Sequence, residues 1–574
     1  MRIGTARPNN GAKPKSGNYT VPPEIRSLKP GDIPCFVKRL HGGYYVYERL
    51  RVPDPNHPGK NKNASGKCIG VIADNQFIPN SGSTLDMCDE DPDNLDYGAY
   101  AIALACSSDV LSRIKMVFSP KDAAMIYTIA VIYFVNHYIP ARDLHEIYIQ
   151  SVLCRKFTTV TLSEKSAGEF IEALGRHHKK RTTFEQNLLD NGSGSYNIDG
   201  HAILCCSNNN ELADYGSKYS QLKNRQANYL MVFDSKKKIV VACQAFDGGM
   251  PDKTAVSDTL SKHAFKKARL RIDSGFYAED NLGLYRKNDC VFVIPVPRTT
   301  ILQKTLLRHI LLEGSFVHRR TDSHGKVEYS SVKYKEYTVS EIEETAIQDA
   351  KEEAAQKNAK LQANAKKSDK VKKVYPRTIT RSSYPSDRII IYKDQLMHDK
   401  LEFDYRCNIG DGRHTEEELA KLEPYFGIIS LRTNDPQITA EDLYIEYKDR
   451  WTIETYYSYL KNGLEFKGLH EENFYVQEGV GFLMIVESMI YSNVQKLIKE
   501  STLPYVRNMS MDECIRIAGR LRIALHKDNK WHPNAIKGKI NDMFEYFNVD
   551  VADDVKKLNK VSSSKQKKEA AETH

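Results

Sequence analysis

Five short apolar runs with strand character follow the polar linker at residues 190–195, and their order is the strongest constraint on the fold. Helical stretches, Lys253 to Lys267 and Ala278 to Lys287, separate the third run from the fourth and the fourth from the fifth. The five predicted strands are Tyr196 to Cys205, Tyr229 to Phe233, Ile239 to Ala245, Arg269 to Ile272 and Cys290 to Val296. A meander of three strands followed by alternating helices and strands predicts a mixed α/β sheet.

Two aspartates belong to the first and fourth of these strands. Asp199 lies within YNIDGHAILCC, and Asp273 ends the apolar run of ARLRIDSGFY. The strand order is that of a ribonuclease-H-like core, in which these two strands run side by side. We therefore expect the two carboxylates to meet at the centre of the sheet. The alternative for either residue is a turn-forming aspartate, a common role before Ser-Gly.

A third carboxylate belongs to a polar stripe within YKDRWTIETYYSYLK. Tyr447, Arg450, Glu454 and Lys461 are spaced so that a helix of 3.6 residues per turn places them within an arc of about 60°. Such a stripe is a poor packing surface, because a buried charge is costly unless it is paired. Arg450 can grip a phosphate through two hydrogen bonds, and Lys461 can add a point charge. The alternative is a solvated helix face with ion pairs along it.

Convergence of Asp199, Asp273 and Glu454 on one point requires cations, because three neighbouring carboxylates otherwise repel one another. Ligand sets made only of oxygen select Mg²⁺ or Mn²⁺. Two such ions about 3.5–4 Å apart stabilise the attacking and leaving oxygens of an in-line phosphodiester displacement. The acids therefore predict two-metal phosphoryl-transfer chemistry.

The segment around Glu454 resembles a family signature. RWTIE, with Tyr447 three residues before Arg450 and Lys461 seven after Glu454, is similar to the Y-(2)-R-(3)-E-(6)-K signature of the DDE transposases of insertion sequences, the IS-four-like group. IDGHAI and IDSGFY resemble the family's first and second aspartate segments, and YGSKYSQLKNRQANYLMVFD resembles the loop and strand between them. The N-terminal segment ending in GKCIGVI is also similar, so the resemblance spans most of residues 40 to 500.

The resemblance implies a fold and a set of catalytic residues. Asp199, Asp273 and Glu454 would be catalytic and would hold two Mg²⁺ or Mn²⁺ ions. In the family an inserted, largely β domain separates the second acid from the third. The implied fold is thus a ribonuclease-H-like mixed-sheet core interrupted by this insertion, with an N-terminal β-hairpin and helical DNA-binding region and a helical C-terminal region.

The resemblance also implies DNA contacts. Tyr447, Arg450 and Lys461 would position DNA phosphates at the transposon end, and Trp451 completes the match to the signature. Arg298, just after the fifth strand, either reaches the DNA backbone or is a surface arginine. The implied activity is cut-and-paste transposition by a homodimer assembled on the terminal inverted repeats and target DNA. The alternatives are a domesticated DNA-binding protein without catalysis and a nuclease that cleaves without joining.

Eight parts are predicted along the chain. They are a flexible basic arm (1–40), a β-hairpin module (41–96), a helical DNA-binding domain (97–190), the first part of the core (196–297), the insertion (298–435), the second part of the core with the signature helix (436–475), a helical region (476–555) and a basic disordered tail (556–574). The basic cluster Arg176 to Arg181 either binds DNA or belongs to a packing unit. A Lys/Ala/Glu-rich helix, Ser340 to about Asn364, either touches DNA or braces the insertion.

Charge and apolar patterning complete the expectations. The formal net charge is +9, and basic residues gather near the N-terminus, in Lys366 to Arg381 and in Lys556 to Lys568, which favours nucleic acid as the partner. The most apolar run, Ala123 to Val135, is too short to span a bilayer and predicts a buried helix. Eleven scattered cysteines without a zinc-ligand pattern fit a reducing compartment. We expect a cytoplasmic, nucleoid-associated protein with no membrane partner.

Overall fold

The computed structural model describes residues 21–31, 34–40, 43–53, 61–73, 75–79, 94–205, 207, 209–216, 224–250, 252–321, 327–364, 373–448, 473–535 and 538–560. The chain divides into two compact units, Met1–Pro92 and Asp93–His574. They are described separately below.

The first unit contains a four-stranded antiparallel sheet. Its elements are helix α1 (Pro23–Ser27) and strands β1 (Cys35–Leu40), β2 (Gly43–Pro53), β3 (Asn61–Ala73) and β4 (Gln76–Pro79). The strands pair in sequence order, and Cys35, Val46 and Ile72 form a small buried cluster. Strands β2 and β3 pair as an antiparallel hairpin, with one strand added on each side. Helix α1 and β1 lie in the segment predicted to be an arm.

The second unit begins with strand β5 (Asn94–Asp96) and a helical region. The helices are α2 (Gly98–Cys106), α3 (Ser108–Lys115), α4 (Pro120–Asn136), α5 (Leu144–Gln150), α6 (Leu153–Lys156), α7 (Glu164–Arg176) and α8 (His178–Asp190). Ser119 caps α4 by accepting from Asp122 N, with Pro120 at the first helical position. In the sequence, Thr161 and Glu164 have the spacing of a capping box, which predicts Thr161 as the N-cap of α7. This prediction is wrong, because the N-cap is Ser163, which accepts from Ser166 N at 3.3 Å.

No single helix in the described part of the chain is long and apolar enough to cross a bilayer. Helix α4 and the following stretch Ala141–Gln150, bent by 96° relative to each other, meet the length and composition requirement only as a pair.

A nine-stranded mixed sheet forms the centre of the second unit. Its strands are β6 (Ser195–Leu204), β7 (Gln226–Asp234), β8 (Ile239–Asp247), β9 (Arg269–Ile272), β10 (Val291–Pro295), β11 (Gly314–Thr321), β12 (Val327–Thr338), β13 (Arg388–Asp394) and β14 (Ile428–Thr433). The spatial order is β8-β7-β6-β9-β10-β14-β13-β12-β11, with β9 parallel to both β6 and β10 and the other neighbours antiparallel. Helices α9 (Asp252–Lys262) and α10 (Glu279–Lys287) connect β8 to β9 and β9 to β10. The first five strands thus have the predicted order.

The region between β10 and β14 extends the same sheet. It contains helices α11 (Ile301–Arg308), α12 (Val339–Asn364), α13 (Gln395–Gly410) and α14 (Glu416–Leu422) in addition to its strands. Ile389 and Ile391 of β13 pack in one apolar cluster with α11 and α12, whereas Ile390 and Tyr392 pack in another cluster on the opposite face. Burial on both faces explains why β13 has a continuous apolar run.

Helix α12, the predicted Lys/Ala/Glu-rich helix, packs along α11. Ala346, Ala350 and Ala354 recur every four residues and are buried. At the end of α11, Arg308 forms ion pairs with Asp349 at 3.0 Å and with Glu353 at 2.9 Å. These contacts are those of a bracing helix.

The C-terminal elements of the second unit pack against its N-terminal elements. They are α15 (Ala440–Lys448), α16 (Phe474–Glu500), α17 (Pro504–Arg507), α18 (Met511–Ala518), β15 (Arg522–Leu525), β16 (Trp531–Pro533) and α19 (Lys539–Tyr546). Strand β15 pairs with β5, and one contiguous apolar core joins the helices before β6, the first five sheet strands and the helices from α16 onward.

Helix α16 covers the edge strand β8. Ser488 Oγ accepts a hydrogen bond from Val240 N at 2.9 Å, and Glu478 Oε1 accepts one from Ala245 N at 2.8 Å. Side chains of a helix thereby satisfy main-chain N–H groups that an edge strand would otherwise expose. The nine-stranded sheet is closed to further strand pairing at these two positions.

Candidate active site

The pairing register places the two predicted aspartates side by side. Strands β6 and β9 run parallel, and their last matched pair is Ile198 with Ile272. The next residues of the two strands are Asp199 and Asp273, and neighbouring strands lie about 4.8 Å apart. The prediction that the two carboxylates meet near the middle of the sheet is therefore supported by the register.

Both carboxylates also bind main-chain N–H groups. Asp199 Oδ1 accepts from Gly200 N at 2.9 Å, and Asp273 Oδ1 accepts from Ser274 N at 2.7 Å. Asp273 caps the short 3-10 helix Ser274–Phe276, so it has the turn-forming role that the sequence offered as an alternative. An ionised carboxylate has two oxygens and about four lone-pair sites, so capping leaves capacity for a metal ion.

Strand β9 presents charged residues on the face that carries Asp273. Side chains alternate between the two faces of a strand, so Leu270 and Ile272 share one face, and Arg269, Arg271 and Asp273 share the other. Both apolar side chains are fully buried. The face that carries the aspartate is thus the charged face of an otherwise apolar strand.

Helix α15 binds to this charged face through one glutamate. Glu446 Oε2 accepts from Arg269 Nη1 at 3.1 Å, and Glu446 Oε1 lies 3.1 Å from Arg271 Nη2. Asp435, just before the helix, accepts from Arg269 Nη2 at 2.6 Å. These contacts hold α15 on the face of the sheet that carries Asp273, and Glu446 directly precedes Tyr447, the first residue of the signature.

A buried arginine fixes the segment that follows Asp273. Arg432 of β14 is fully buried and donates to the Tyr277 hydroxyl at 2.7 Å, to Glu279 Oε1 at 2.8 Å and to Asp387 Oδ2 at 2.8 Å. Burial acts to lower the pKa of Arg432, but its three partners outweigh burial and raise this pKa. The guanidinium therefore stays charged and ties the turn after Asp273 to β14.

Of the other predicted site residues, two belong to the described part of the chain and four do not. Tyr447 lies on α15, partly buried against the apolar cluster that contains Val293 and Leu431. Arg298 is exposed in the turn after β10 and lies at the same end of the sheet as Asp273, because β9 and β10 are parallel. Four predicted residues lie outside the described residues, namely Arg450, Trp451, Glu454 and Lys461.

Sequence reasoning missed the arginines of β9 and their partner Glu446. The signal was present in ARLRID, where charged and apolar residues alternate within one short strand. Such alternation predicts one buried and one polar face. It does not predict the partner, because Arg269 and Glu446 are 177 positions apart.

Two further acids near the central strands, Asp234 and Asp247, form turns. Asp234 is buried and accepts from Ser193 N and from the main-chain N of Lys236 and Lys237. Asp247 Oδ1 accepts from Gly249 N at 2.8 Å. These hydrogen bonds are those of turn-forming aspartates.

The basic cluster at the start of α8 is only partly available to a ligand. Arg181 is buried and pairs with Glu478 at 2.7 Å. Arg176 pairs with Glu172 and lies over the ring of Tyr475, with its guanidinium carbon 4.1 Å from the ring centroid. Both arginines thus have structural contacts, although Arg176 is itself exposed, and the other exposed residues of the cluster are His177, His178 and Lys179.

The geometry near Asp199 and Asp273 suits a hard divalent cation. The two side chains offer only oxygen donors, and oxygen donors are the ligands that Mg²⁺ and Mn²⁺ prefer. Two adjacent carboxylates also repel each other unless a cation is near. The described residues therefore fit two ligands of such a site.

Comparison with known proteins supports a transposase. Residues 197–474 match the family model described as the transposase DDE domain. Among functionally curated proteins, none shows significant sequence similarity to the chain. Among solved structures, a cryo-EM structure of the piggyBac transposase synaptic complex with hairpin DNA is similar at 10% identity and a TM-score of 0.34, covering 75% of this chain and 80% of that chain. The support for a transposase comes from the family model matched by residues 197–474.

Proposed function

We propose that the chain is a DNA transposase that binds the terminal inverted repeats of its insertion sequence and catalyses metal-dependent strand cleavage and strand transfer. The observation that carries the proposal is the parallel register that brings Asp199 beside Asp273, within the segment that matches the transposase DDE domain. Adjacent carboxylates on two parallel strands support an oxygen-only metal site of the kind that phosphoryl transfer uses.

In this proposal, Asp199, Asp273 and Glu454 hold Mg²⁺ or Mn²⁺. Bound divalent ions of this kind activate water and stabilise charge on phosphodiester oxygens. Asp199 and Asp273 contribute carboxylate oxygens that their N–H contacts already orient. Glu454 would follow Glu446 by eight residues, on the segment that α15 leads into. The ion pairs of Glu446 with β9 therefore support the assignment of Glu454 as the third ligand.

DNA binding is assigned to residues at the same end of the sheet. Arg298 follows β10 there and is exposed. Arg450, Trp451 and Lys461 would extend this surface along the signature segment, with the hydroxyl of Tyr447 as a hydrogen-bond donor. We also assign end recognition to the helical region at 97–190, binding as a homodimer on DNA, and activity to the cytoplasm.

The decisive experiment is a cleavage and joining assay. Purified wild type and Glu454→Gln are incubated with labelled DNA carrying the ends that flank the gene, in Mg²⁺ or Mn²⁺, and both cleaved and joined products are measured. Asp289→Asn is the matched control, because Asp289 is exposed in a turn with φ of 56°, a conformation that Asn also tolerates. We expect wild type and Asp289→Asn to cleave and join, and Glu454→Gln to bind DNA without cleaving it.

The alternatives give different outcomes in the same assay. Cleavage without joining identifies a nuclease. DNA binding without either reaction identifies a domesticated DNA-binding protein. Readily detectable cleavage by Glu454→Gln moves the third metal ligand to another residue.

A further inference from the structure

Three side chains near the start of α13 converge at a place that the proposed reaction does not use. His398 and Glu402 are one helical turn apart on α13, and Glu423 opens the short 3-10 helix Glu423–Tyr425. One ligand atom from each side chain lies within 4.8 Å of the other two. The three residues form a mixed imidazole and carboxylate group, which we call the α13 cluster.

The orientation of the His398 ring is set by its neighbours. Its Nδ1 lies 3.2 Å from Asp399 Oδ1, and Gln395 donates to the same oxygen at 2.6 Å. A carboxylate can only accept, so Nδ1 must carry the proton of this hydrogen bond. The lone pair of the neutral ring is then on Nε2, which faces the carboxylate of Glu423.

The separation between His398 and Glu423 does not fit a hydrogen bond. Nε2 lies 3.7 Å from Glu423 Oε1, which exceeds hydrogen-bond distance. Two ligands of one tetrahedral Zn²⁺, each bound at about 2.0–2.1 Å, lie roughly 3.3 Å apart. The observed gap is therefore close to the separation of two atoms that share a metal ion, and an ion would remove the repulsion between lone pair and carboxylate.

The Arg406 side chain binds one of the carboxylates of the α13 cluster. Arg406 Nε donates to Glu402 Oε1 at 2.9 Å, which occupies one of the two oxygens of Glu402. The second oxygen can still bind an ion. His398 itself is 7% exposed, and the Phe426 ring lies 6.2 Å from it, so the imidazole is enclosed by protein while the carboxylates open toward solvent.

We propose that His398, Glu402 and Glu423 bind a transition-metal ion, with Zn²⁺ as the preferred ion and water as the fourth ligand. An imidazole nitrogen with carboxylate oxygens suits Zn²⁺, whereas Mg²⁺ prefers oxygen ligands alone. The site is separate from the aspartates, because β13, which leads into α13, is three strands from β9. Three spacings of about 4.8 Å amount to roughly 14 Å. The ion would link Glu423 to His398 and Glu402 of α13. It would thus cross-link the two ends of the segment that contains α14.

The test is a Zn²⁺ titration of the full chain, without DNA, against a chelating indicator dye in excess Mg²⁺. Excess Mg²⁺ occupies oxygen-only sites, so the titration reports sites that prefer Zn²⁺. Wild type is compared with His398→Ala and Glu423→Gln, and His414→Ala is the matched control. His414 is a neighbouring exposed histidine that stacks on Tyr405 at 4.3 Å and lies 3.5 Å from Glu418.

We expect His398→Ala to bind one equivalent of Zn²⁺ fewer than wild type, and His414→Ala to match wild type. Asp399→Asn should weaken this equivalent by about 10–100-fold, the usual effect of losing a carboxylate that orients a metal-binding histidine. If His398→Ala loses its circular dichroism spectrum, Glu423→Gln decides, because the half-exposed Glu423 side chain can change without disturbing the core. Equal Zn²⁺ stoichiometry and affinity in wild type and Glu423→Gln would overturn the proposal. Because no DNA is present, this result is independent of transposition.

Discussion

Glu487 lies at the most apolar part of α16, and its removal should change the pH dependence of stability. Every residue from Val480 to Ile490 is buried. Within the described residues, the Glu487 carboxyl group has no ion pair or hydrogen bond. Burial raises the pKa of Glu487 from 4.5 to about 8. The carboxyl group is therefore protonated in the folded protein at neutral pH and ionised in the unfolded chain.

The size of the effect follows from linkage. Because the folded-state pKa is raised, this group favours folding most below pH 4.5, where both states are protonated. Stability is lost as the pH rises from there to about 8, by about 5 kcal/mol for a shift of about 3.5 pKa units at 1.36 kcal/mol each. A unit of about 480 residues has an unfolding entropy of roughly 1 kcal/mol/K, so 5 kcal/mol corresponds to about 5 °C in Tm.

Glu487→Gln isolates this contribution, since glutamine has the shape of a protonated glutamate and does not titrate. The assay measures Tm from pH 4.5 to pH 8.5 for wild type, for Glu487→Gln and for Glu500→Gln, which alters an exposed glutamate at the end of the same helix. We expect the Tm of Glu487→Gln to equal that of wild type at the lowest pH and to exceed it by about 5 °C at the highest. Glu500→Gln should follow wild type throughout.

Parallel Tm curves for wild type and Glu487→Gln would refute the reasoning. They would show that the Glu487 carboxyl group titrates alike in the folded and unfolded states, and hence that burial does not shift its pKa. A rising difference in the opposite direction, with wild type more stable at high pH, would mean that a cation stabilises the ionised carboxylate.

Three further substitutions test contacts described above. Ser488→Ala removes the acceptor of the Val240 N–H and should cost about 1–3 kcal/mol in chemical denaturation; a smaller change would mean that water replaces the hydroxyl. Arg432→Met removes one of the two arginines that pair with buried Asp387, the other being Arg286, and should cost about 1.5–3 kcal/mol, which thermal denaturation would detect; an unchanged Tm would contradict a role in fixing the turn. If the proposed function holds, Glu446→Gln should slow DNA cleavage about 10–100-fold while the Kd for end DNA changes little, because it loosens the helix that leads to Glu454, the proposed third acid. Restored cleavage by Glu446→Asp would confirm the ion pair, and an equal loss of DNA binding would contradict a positioning role.

The core strands were predictable because burial marks them in the sequence. Arg269 to Ile272 was predicted with its observed ends. The apolar run Arg388 to Tyr392 also indicates a strand in the sequence, although its partners are distant in sequence. Strands β11 and β12 were not predicted. Their sequences, GSFVHRRT and VEYSSVKYKEYT, carry polar side chains at most positions, and what makes them strands is pairing with each other and with β13.

The candidate site was predictable as far as strand order determines it. The adjacency of Asp199 and Asp273 follows from a topology that the pattern of strands and helices already indicated. The attachment of α15 was not predictable, because it depends on Glu446 meeting two arginines of a strand far away in sequence. The N-cap of α7 shows a local error of prediction. Thr161 and Ser163 lie two residues apart and both are residue types that cap helices, and the structure has Ser163 in that role.

The first five strands of the central sheet have β8 and β10 as their edges, and the elements that cover these two edges are synthesised late. Pro295 of β10 pairs with Leu431 of β14, and at about 5–20 residues per second the ribosome needs about 7–27 s to add the intervening residues. The hydrogen bond from the N–H of Ala245 on β8 forms later still, because its acceptor Glu478 is synthesised 233 residues after Ala245. The nascent protein therefore holds its first five strands with both edges open until most of the chain has been made. Its core becomes a closed structure only when α16 emerges, so a chain truncated before that helix should aggregate through β8.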